Sequence, residues 1–343
     1  MTFLLTCTTG LEAAVALELR KMGYKILESV SGRVYIKGEL KDIPFLNINL
    51  RTAERVLILL ERKKVTSFEE LYKAIYNINW SDFVDGKVYI SDISSVKSKL
   101  SAKGAIISVA YAAIKKKVKQ RKNTIFPVRL VLKRDELQVL LDTTGEKALS
   151  KRGYRLKTSK APLRETIAAS MILLSRWNKN MLVDPFCGSG TIPIEAALIK
   201  SNTPPGIFRD FVSENWGFLE WPKRIKKDIK DINVSGIFGY DIDNSILKVA
   251  RANAKRFRIS GLVFENKSFG DYTFDDVWVV TNPPYGERIK TDVDFSLFLK
   301  KFKNSKFYIL SPDNQFEKFF GRRATKKIRF QNSGIWVWFY MFY

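Results

Sequence analysis

The sequence predicts an α/β chain in which a doubly wound domain with a largely parallel sheet follows two smaller α+β units. Three observations predict it. From residue 162 onward, apolar strands (MLVDPF, IFGYDI, LVFENKS, VWVVTNP, KFYILSP) are mostly separated by helical or loop stretches. The chain then closes on two strands, KKIRFQ and IWVWFYMFY, joined by Asn332, Ser333 and Gly334, which puts an antiparallel strand at the end of a parallel sheet. Before residue 149, strand and helix patterns alternate in two shorter runs.

The first run, residues 1–60, reads as strand FLLTC, helix GLEAAVALELRKMG, strand GRVYIKG, then a helix through IPFLNINLRTAERVLIL, a pattern of ferredoxin-like type. The second, residues 61–148, has a helix near Phe68 to Tyr76, a strand KVYISDI and a helix from about Ala102 to Lys119. Paired strands VRLVLK and ELQVLLDTT follow, turning at Arg134 and Asp135. Residues 149–161, LSKRGYRLKTSKA, are polar and basic and read as a linker. The domain from 162 to 343 opens with Pro162 in a helix's first turn and Leu163, Ile167, Met171 and Leu174 on one face.

Charge narrows the function classes. The 343 residues carry 59 Lys+Arg against 35 Asp+Glu, a net +24, and without histidine this hardly changes from about pH 5 to 8. Such a field selects a polyanion, and no lipidation signal or basic amphipathic tail directs it to a membrane, so nucleic acid is the expected partner. From Ile93 to Arg134 there are 12 Lys and Arg and no carboxylate. One lysine alone reads as solvated surface, but the run reads as a phosphate-binding face: Lys97, Lys99, Lys103, Lys115, Lys119 and Lys122, continued by Arg152 and Arg155 in the linker. Part of the cluster at Lys115–Lys117 also suits a helix C-terminus.

Cys7 and Cys187 lie far apart and lack metal spacing, so neither a disulfide framework nor a metal site is expected. No basic leader and no apolar run approaching about 18 residues is present, which leads to the expectation of a cytoplasmic, reduced protein. The missing histidine removes Ser-His-Asp and Cys-His catalysis. Chemistry is left to a cofactor, carboxylates, amides and positioning.

The chemistry-bearing residues gather at strand ends. DPFCGSGT, Asp184 to Thr191, joins a strand to a helix through glycines that admit a ligand close to the backbone. Asp241, ending GYDID, is placed to accept from ribose hydroxyls, but it follows Gly190 by 51 residues instead of about twenty, which argues against a nicotinamide dinucleotide. Taken singly, Asp184 and Asp241 read equally as caps or turn residues, and Asp271 in FGDYTF more so; their recurrence at successive strand ends carries the reading. VVTNPPYGER closes the fourth strand with an amide acceptor, two φ-fixing prolines and a tyrosine.

DPFCGSGT, GYDID with ARANA, and NPPYGER, in that order, resemble S-adenosylmethionine-dependent amino methyltransferases. TTGLEAAVALELRKMGY, GRVYIKG, INW, ELQVLLDTTGE, KRGYR, APLRETIAA and KKIRFQNSG extend the resemblance along nearly the whole chain to THUMP-domain RNA guanine-N2 methyltransferases, the bacterial 23S ribosomal RNA enzymes and their tRNA relatives. The chain departs from that family in reading Asn-Ser-Gly for Asn-Gly before the last strand.

The resemblance implies a Rossmann-like class I methyltransferase domain (162–343) behind a ferredoxin-like domain (1–60) and a THUMP RNA-binding domain (61–148). It places Thr166 near the methionine carboxylate of S-adenosylmethionine, Phe186, Gly188 and Gly190 along the cofactor loop, Asp241 on the ribose, and Asp271 or Ser268 on the adenine amino group. Asn282, Pro283, Pro284 and Tyr285 would hold a flipped guanine, most simply in 23S ribosomal RNA and alternatively in tRNA. Arg288 reads equally as a contact to the substrate backbone or to an acidic surface neighbour. Adenine N6, a protein glutamine amide, and a catalytically silent RNA-binding role are the alternatives.

Overall fold

The computed structural model describes residues 1–119, 122–155, 163–222, 230–284, 294–332 and 334–343. In chain order the elements begin β1 (Thr2–Thr6), α1 (Glu12–Lys21), β2 (Ile26–Val30), β3 (Arg33–Lys37), α2 (Asp42–Asn49), β4 (Arg55–Lys64) and α3 (Phe68–Tyr76). They continue with β5 (Lys87–Val96), α4 (Lys103–Lys117), β6 (Ile125–Lys133) and β7 (Glu136–Asp142). The C-terminal half follows as α5 (Glu165–Leu174), β8 (Leu182–Asp184), α6 (Thr191–Lys200), β9 (Ile232–Asn233), β10 (Ile237–Asp241), α7 (Asn244–Arg256), β11 (Ile259–Ser260) and β12 (Val263–Asn266). It ends with β13 (Phe274–Asp275), β14 (Trp278–Thr281), α8 (Ser296–Lys301), β15 (Phe302–Lys303), β16 (Lys306–Ser311), α9 (Phe316–Phe320), β17 (Lys326–Asn332) and β18 (Ile335–Phe342).

The first seven strands form one sheet in the order β2-β3-β1-β4-β7-β6-β5, so the two N-terminal units share a single hydrogen-bonded layer. The expected boundary at residues 60/61 falls inside β4, which pairs with β1 through Val56 to Ile58 and with β7 along Leu57 to Lys64. Here the sequence reading of a long helix through RVLIL is corrected: α2 ends at Asn49, Leu50 is extended at ψ 126°, and Arg55–Lys64 is a central strand. A buried strand is apolar on both faces, so Val56-Leu57-Ile58 shows no alternation to separate it from a helix. β2 went unread for the opposite reason, because it is a mostly exposed edge strand with little apolar signal. The β6–β7 turn is as expected, with Arg134 (φ 54°) and Asp135 (φ 64°) both left-handed, which suits the twist of a tight hairpin.

The second sheet has the order β12-β10-β8-β14-β16-β18-β17, parallel from β12 to β16 and antiparallel at β18 and β17. From central β8, chain order runs outward to β10 and β12 on one side and to β14 and β16 on the other. The carboxyl ends of β8, β10 and β14 therefore flank the crevice where the winding reverses. Among the described residues no helix is long and apolar enough to cross a membrane.

Buried charge ties the halves together. Glu18 on α1 accepts from Arg51 N (2.8 Å), Thr52 N (3.0 Å) and Thr52 Oγ1 (2.6 Å), and Arg51 Nη2 donates to the Thr203 carbonyl at 2.8 Å. Arg152 is 1% exposed, donates to the carbonyls of Leu149 and Arg51, and pairs with fully buried Glu195 of α6 at 3.3 Å.

Candidate active site

β8 delivers Asp184 to the crevice buried, with Oδ1 accepting from the Phe186 N–H at 3.2 Å and from Thr281 Oγ1 at 2.7 Å. The second bond crosses from the end of β14, so the residue before Asn282 is locked to the start of the glycine loop. Burial raises the Asp184 carboxyl to about 7, with nearby Asp241 adding to the rise and the two hydrogen bonds opposing it.

The loop after β8 is shaped by its glycines. Gly190 is left-handed at φ 82° and begins α6; a Cβ there would meet Ala250 and Phe264 at 3.0–3.1 Å. Gly188 is also left-handed, at φ 51°, but a Cβ built on it meets nothing within 4 Å, so this turn opens onto free space. Asn253, the asparagine of ARANA, is fully buried on α7 and holds the Ser189 carbonyl at 3.1 Å, which fixes the loop from behind. Cys187 N–H donates to the Tyr240 carbonyl at 2.9 Å, docking the loop on β10.

At the end of β10, Asp241 accepts from Gly188 N (2.9 Å) and Asp243 N (3.0 Å). Burial raises its carboxyl, the Asp243 charge adds to that, and the N–H bonds oppose it. Neighbouring Ile242 is 72% exposed, an apolar surface beside a carboxylate that still has lone pairs to offer. Asp271 closes its own turn, Oδ2 accepting from Ser268 N at 2.8 Å and its N–H donating to the Ser268 carbonyl at 3.0 Å. Both candidates for the adenine contact therefore belong to one turn.

Asn282 stands at the end of β14, and its Oδ1 is buried with no hydrogen-bond partner among the described residues. Buried side-chain oxygens nearly always have a partner, and leaving one bare costs roughly 1–3 kcal/mol. Pro283 behind it is buried and Pro284 exposed, while Tyr285 and Arg288 lie outside the described residues. A second atom without a partner among the described residues is the Tyr272 hydroxyl, on a ring tilted 31° to that of Tyr240 with centroids 4.0 Å apart. Burial and the charge of Asp184 hold this phenol well above its ordinary range. Thr281 and Tyr272 were not singled out from the sequence; Thr281 carried a signal, being the only polar residue between the apolar strand and Asn282. The Phe186 ring lies 5.7 Å from that of Phe269 and 6.2 Å from that of Phe298.

Other expectations are redistributed. Thr166 is buried on α5 and donates to Glu54 at 2.5 Å across the seam with the N-terminal half, where Arg164 also reaches Glu54 (3.4 Å) and Thr8 (3.1 Å). No hydrogen bond of Thr166 reaches the three aspartates among the described residues. Arg152 is corrected outright: a buried guanidinium paired with Glu195 cannot meet a phosphate. Arg155 is corrected likewise, since it donates to the Leu163 carbonyl and Thr191 Oγ1 and pairs with Glu165 at 3.4 Å. In both, a basic residue in a polar stretch served the domain seam, and no local pattern separates the two uses.

Lys97, Lys99, Lys103, Lys115 and Lys119 are exposed and carry no ion pair among the described residues, whereas exposed Lys122 pairs with Asp85 at 2.5 Å. Lys116 and Lys117 at the end of α4 lie 5.9 and 4.3 Å from the ring centroids of Tyr72 and Tyr76, beside a groove of about 490 Å³ lined by Lys87, Tyr89, Tyr111 and Lys115.

Comparison with known proteins agrees with this geometry. Residues 152–336 match the family model described as an RMKL-like methyltransferase domain, and residues 2–57 match the RlmL ferredoxin-like domain. The chain is 36% identical to a tRNA (guanine(6)-N2)-methyltransferase of Methanocaldococcus jannaschii, covering 84% of this chain and 82% of that one. It is 31% identical to the ribosomal RNA large subunit methyltransferase K/L of Buchnera aphidicola, covering 85% of this chain but 46% of that longer protein. The crystal structure of SMU.472 complexed with S-adenosylhomocysteine superposes with a TM-score of 0.89 at 32% identity, covering 100% of this chain and 97% of that one. Its N-terminal ferredoxin-like unit, its reversed-winding crevice and these matches together place the chain in the RMKL-like family of RNA methyltransferases.

Proposed function

We propose that this protein methylates the exocyclic N2 amino group of a guanine in RNA, with S-adenosylmethionine as methyl donor. The single observation that carries the reading is the bare, buried Asn282 Oδ1 at the end of β14, one residue from the Thr281–Asp184 bond.

The donor's sulfonium supplies an electrophilic methyl group when bound. The residues fit such a molecule: open space faces Gly188, and Asp241 bonds only N–H groups and keeps acceptor capacity for ribose hydroxyls. Exposed Ile242 offers an apolar surface for a purine, with Asp271 or Ser268 for its amino group.

An exocyclic amine is a poor nucleophile because its lone pair is delocalised into the ring. Asn282 Oδ1 accepts one N–H of that amine, and the Pro283 carbonyl accepts the other; pyramidal nitrogen and a directed lone pair follow. Tyr285 supplies a face for the extruded base, where stacking contributes about 1–3 kcal/mol. Holding amine and methyl in line contributes up to roughly 7–11 kcal/mol, and no histidine base is needed. The exposed lysines of α4 and the β5–α4 loop bind phosphates and orient the RNA.

The name of the transfer RNA relative supports guanine over adenine. Ribosomal RNA is the substrate suggested by the sequence, and tRNA is a second reading favoured by a match along most of the tRNA enzyme's length. Nucleoside mass spectrometry of ribosomal and transfer RNA from cells with and without the protein separates them. Loss of N2-methylguanosine from one fraction is expected, and an unchanged N2-methylguanosine content with loss of another methylated nucleoside overturns the reading.

A further inference from the structure

The β17–β18 hairpin carries a ladder of aromatic and basic side chains that nothing above uses. On one face, Lys327, Arg329 and Gln331 pair across the strands with Tyr340, Trp338 and Trp336. The inner rungs are satisfied: Lys327 pairs with Glu317 at 2.8 Å, and the Tyr340 hydroxyl donates to the Asp313 carbonyl at 2.7 Å. Towards the outer end Gln331 donates to the Gly334 carbonyl at 3.3 Å, but Arg329, leaning diagonally onto Trp336, has no such partner among the described residues. The Arg329 guanidinium lies 4.6 Å from the Trp336 ring centroid and 5.5 Å from that of Trp338, and among the described residues it meets no carboxylate. Trp336 is 46% exposed.

Position gives this pair a use. β18 runs antiparallel to β16, with Trp338 opposite Ser311, so its first residues lie at the carboxyl edge of the sheet, the edge that also holds Asn282, Asp184 and Asp241. At about 4.8 Å per strand, Trp336 and Arg329 stand roughly 10–15 Å along that edge from β14. The opposite face of the hairpin is braced by the N-terminal half: Gly10 approaches so closely that a Cβ would lie 2.3 Å from the Arg329 carbonyl and 2.9 Å from Phe330 Cβ. The indole and guanidinium are therefore held on a rigid support, facing solvent beside the crevice.

We propose that Trp336 and Arg329 form a stacking platform for an unpaired nucleotide flanking the methylated one, the indole taking the base and the guanidinium its phosphate. A ladder that served only to hold the hairpin together would not leave its outermost ring half exposed beside a cation lacking an anion. A net charge of +24 makes an RNA strand the complementary occupant. The proposal rests on the reading of the crevice as an RNA methylation site, but it is tested separately.

The test uses full-length protein with Trp336→Ala, Trp336→Phe and Arg329→Gln. Titration with a short single-stranded RNA of mixed sequence, followed by tryptophan fluorescence, should show quenching that Trp336→Ala removes. In methyl transfer to RNA from cells lacking the protein, Trp336→Ala and Arg329→Gln should raise KM for RNA by about 5- to 100-fold, with kcat and donor affinity unchanged. Trp336→Phe should recover most of the loss. Thermal melting verifies that each variant folds, and Arg329→Gln stands alone should Trp336→Ala melt early. Unchanged quenching and unchanged KM in folded variants overturn the platform while leaving RNA methylation intact. Trp336-dependent quenching in a protein that methylates no RNA supports the platform and removes the activity beneath it.

Discussion

The two seven-stranded sheets treat their carboxylates in opposite ways. In the N-terminal sheet acids are neutralised by arginines of the protein itself: Asp142 pairs with Arg55 and Arg129, and Glu28 and Glu136 pair with Arg62. Among the described residues the exposed lysines around α4 are left without anions of their own, Lys122 excepted. In the catalytic sheet, Asp184, Asp241 and Asp271 receive only N–H and O–H donors, and no ion pair among the described residues includes them. One half thus presents unneutralised cations and the other unneutralised acceptors, complementary to phosphate on one side and to hydroxyls and amines on the other. The buried Arg152–Glu195 pair ties α6 to the segment that joins the two halves.

The largest test of that division is Arg152→Ala. It strands Glu195 in a fully buried site and should cost about 3–5 kcal/mol in denaturant unfolding, while RNA affinity of the folded fraction stays unchanged. A stable variant with weakened RNA binding would return Arg152 to the phosphate surface and blur the comparison.

Smaller effects sharpen the cationic side. RNA affinity should fall with salt, each neutralised phosphate contributing about −0.7 to the logarithmic slope on single strands, so Lys115→Gln with Lys119→Gln should flatten the slope by roughly 1.4. An unaltered slope would remove the two lysines from the contact.

The smallest effect probes the acidic side. The Asp184 carboxyl moves from 3.8 to about 7 on folding, so between those values the unfolded chain has released a proton that the folded protein retains. Stability from this group is full below pH 3.8 and declines as pH rises to about 7. Asparagine keeps the acceptor for Thr281 and Phe186 but cannot ionise, so the Tm of donor-free Asp184→Asn should rise relative to wild type across that window by a few degrees. A difference that does not change with pH would show that burial does not hold the proton there.

How much of this was legible depended on whether backbone chemistry or burial decided the outcome. Gly188, Gly190 and Pro283 were readable as turn residues because a left-handed turn and a fixed φ require particular residues wherever they occur. The five parallel strands of the catalytic sheet were readable because buried parallel strands are continuous apolar runs bounded by turns, and the closing pair because a short polar turn separates its two runs. β4 was misread because such a run next to a helix has no period of its own. Arg152 and Arg155 were misplaced, and Thr166 acquired Glu54 as a partner, because the partners Leu163, Glu165, Glu195 and Glu54 lie between 8 and 112 residues away in sequence. The Tyr272 hydroxyl was missed because a bare buried donor is a property of packing alone.

The central claim is that a bare amide oxygen at the end of β14 grips the amine that is methylated. Single-turnover methyl transfer by Asn282→Ala, measured beside its affinities for donor and RNA, tests this most directly. Transfer should slow by about 10²–10³-fold with both affinities nearly unchanged. A transfer rate close to wild type, or a collapse of RNA affinity in place of rate, would contradict it.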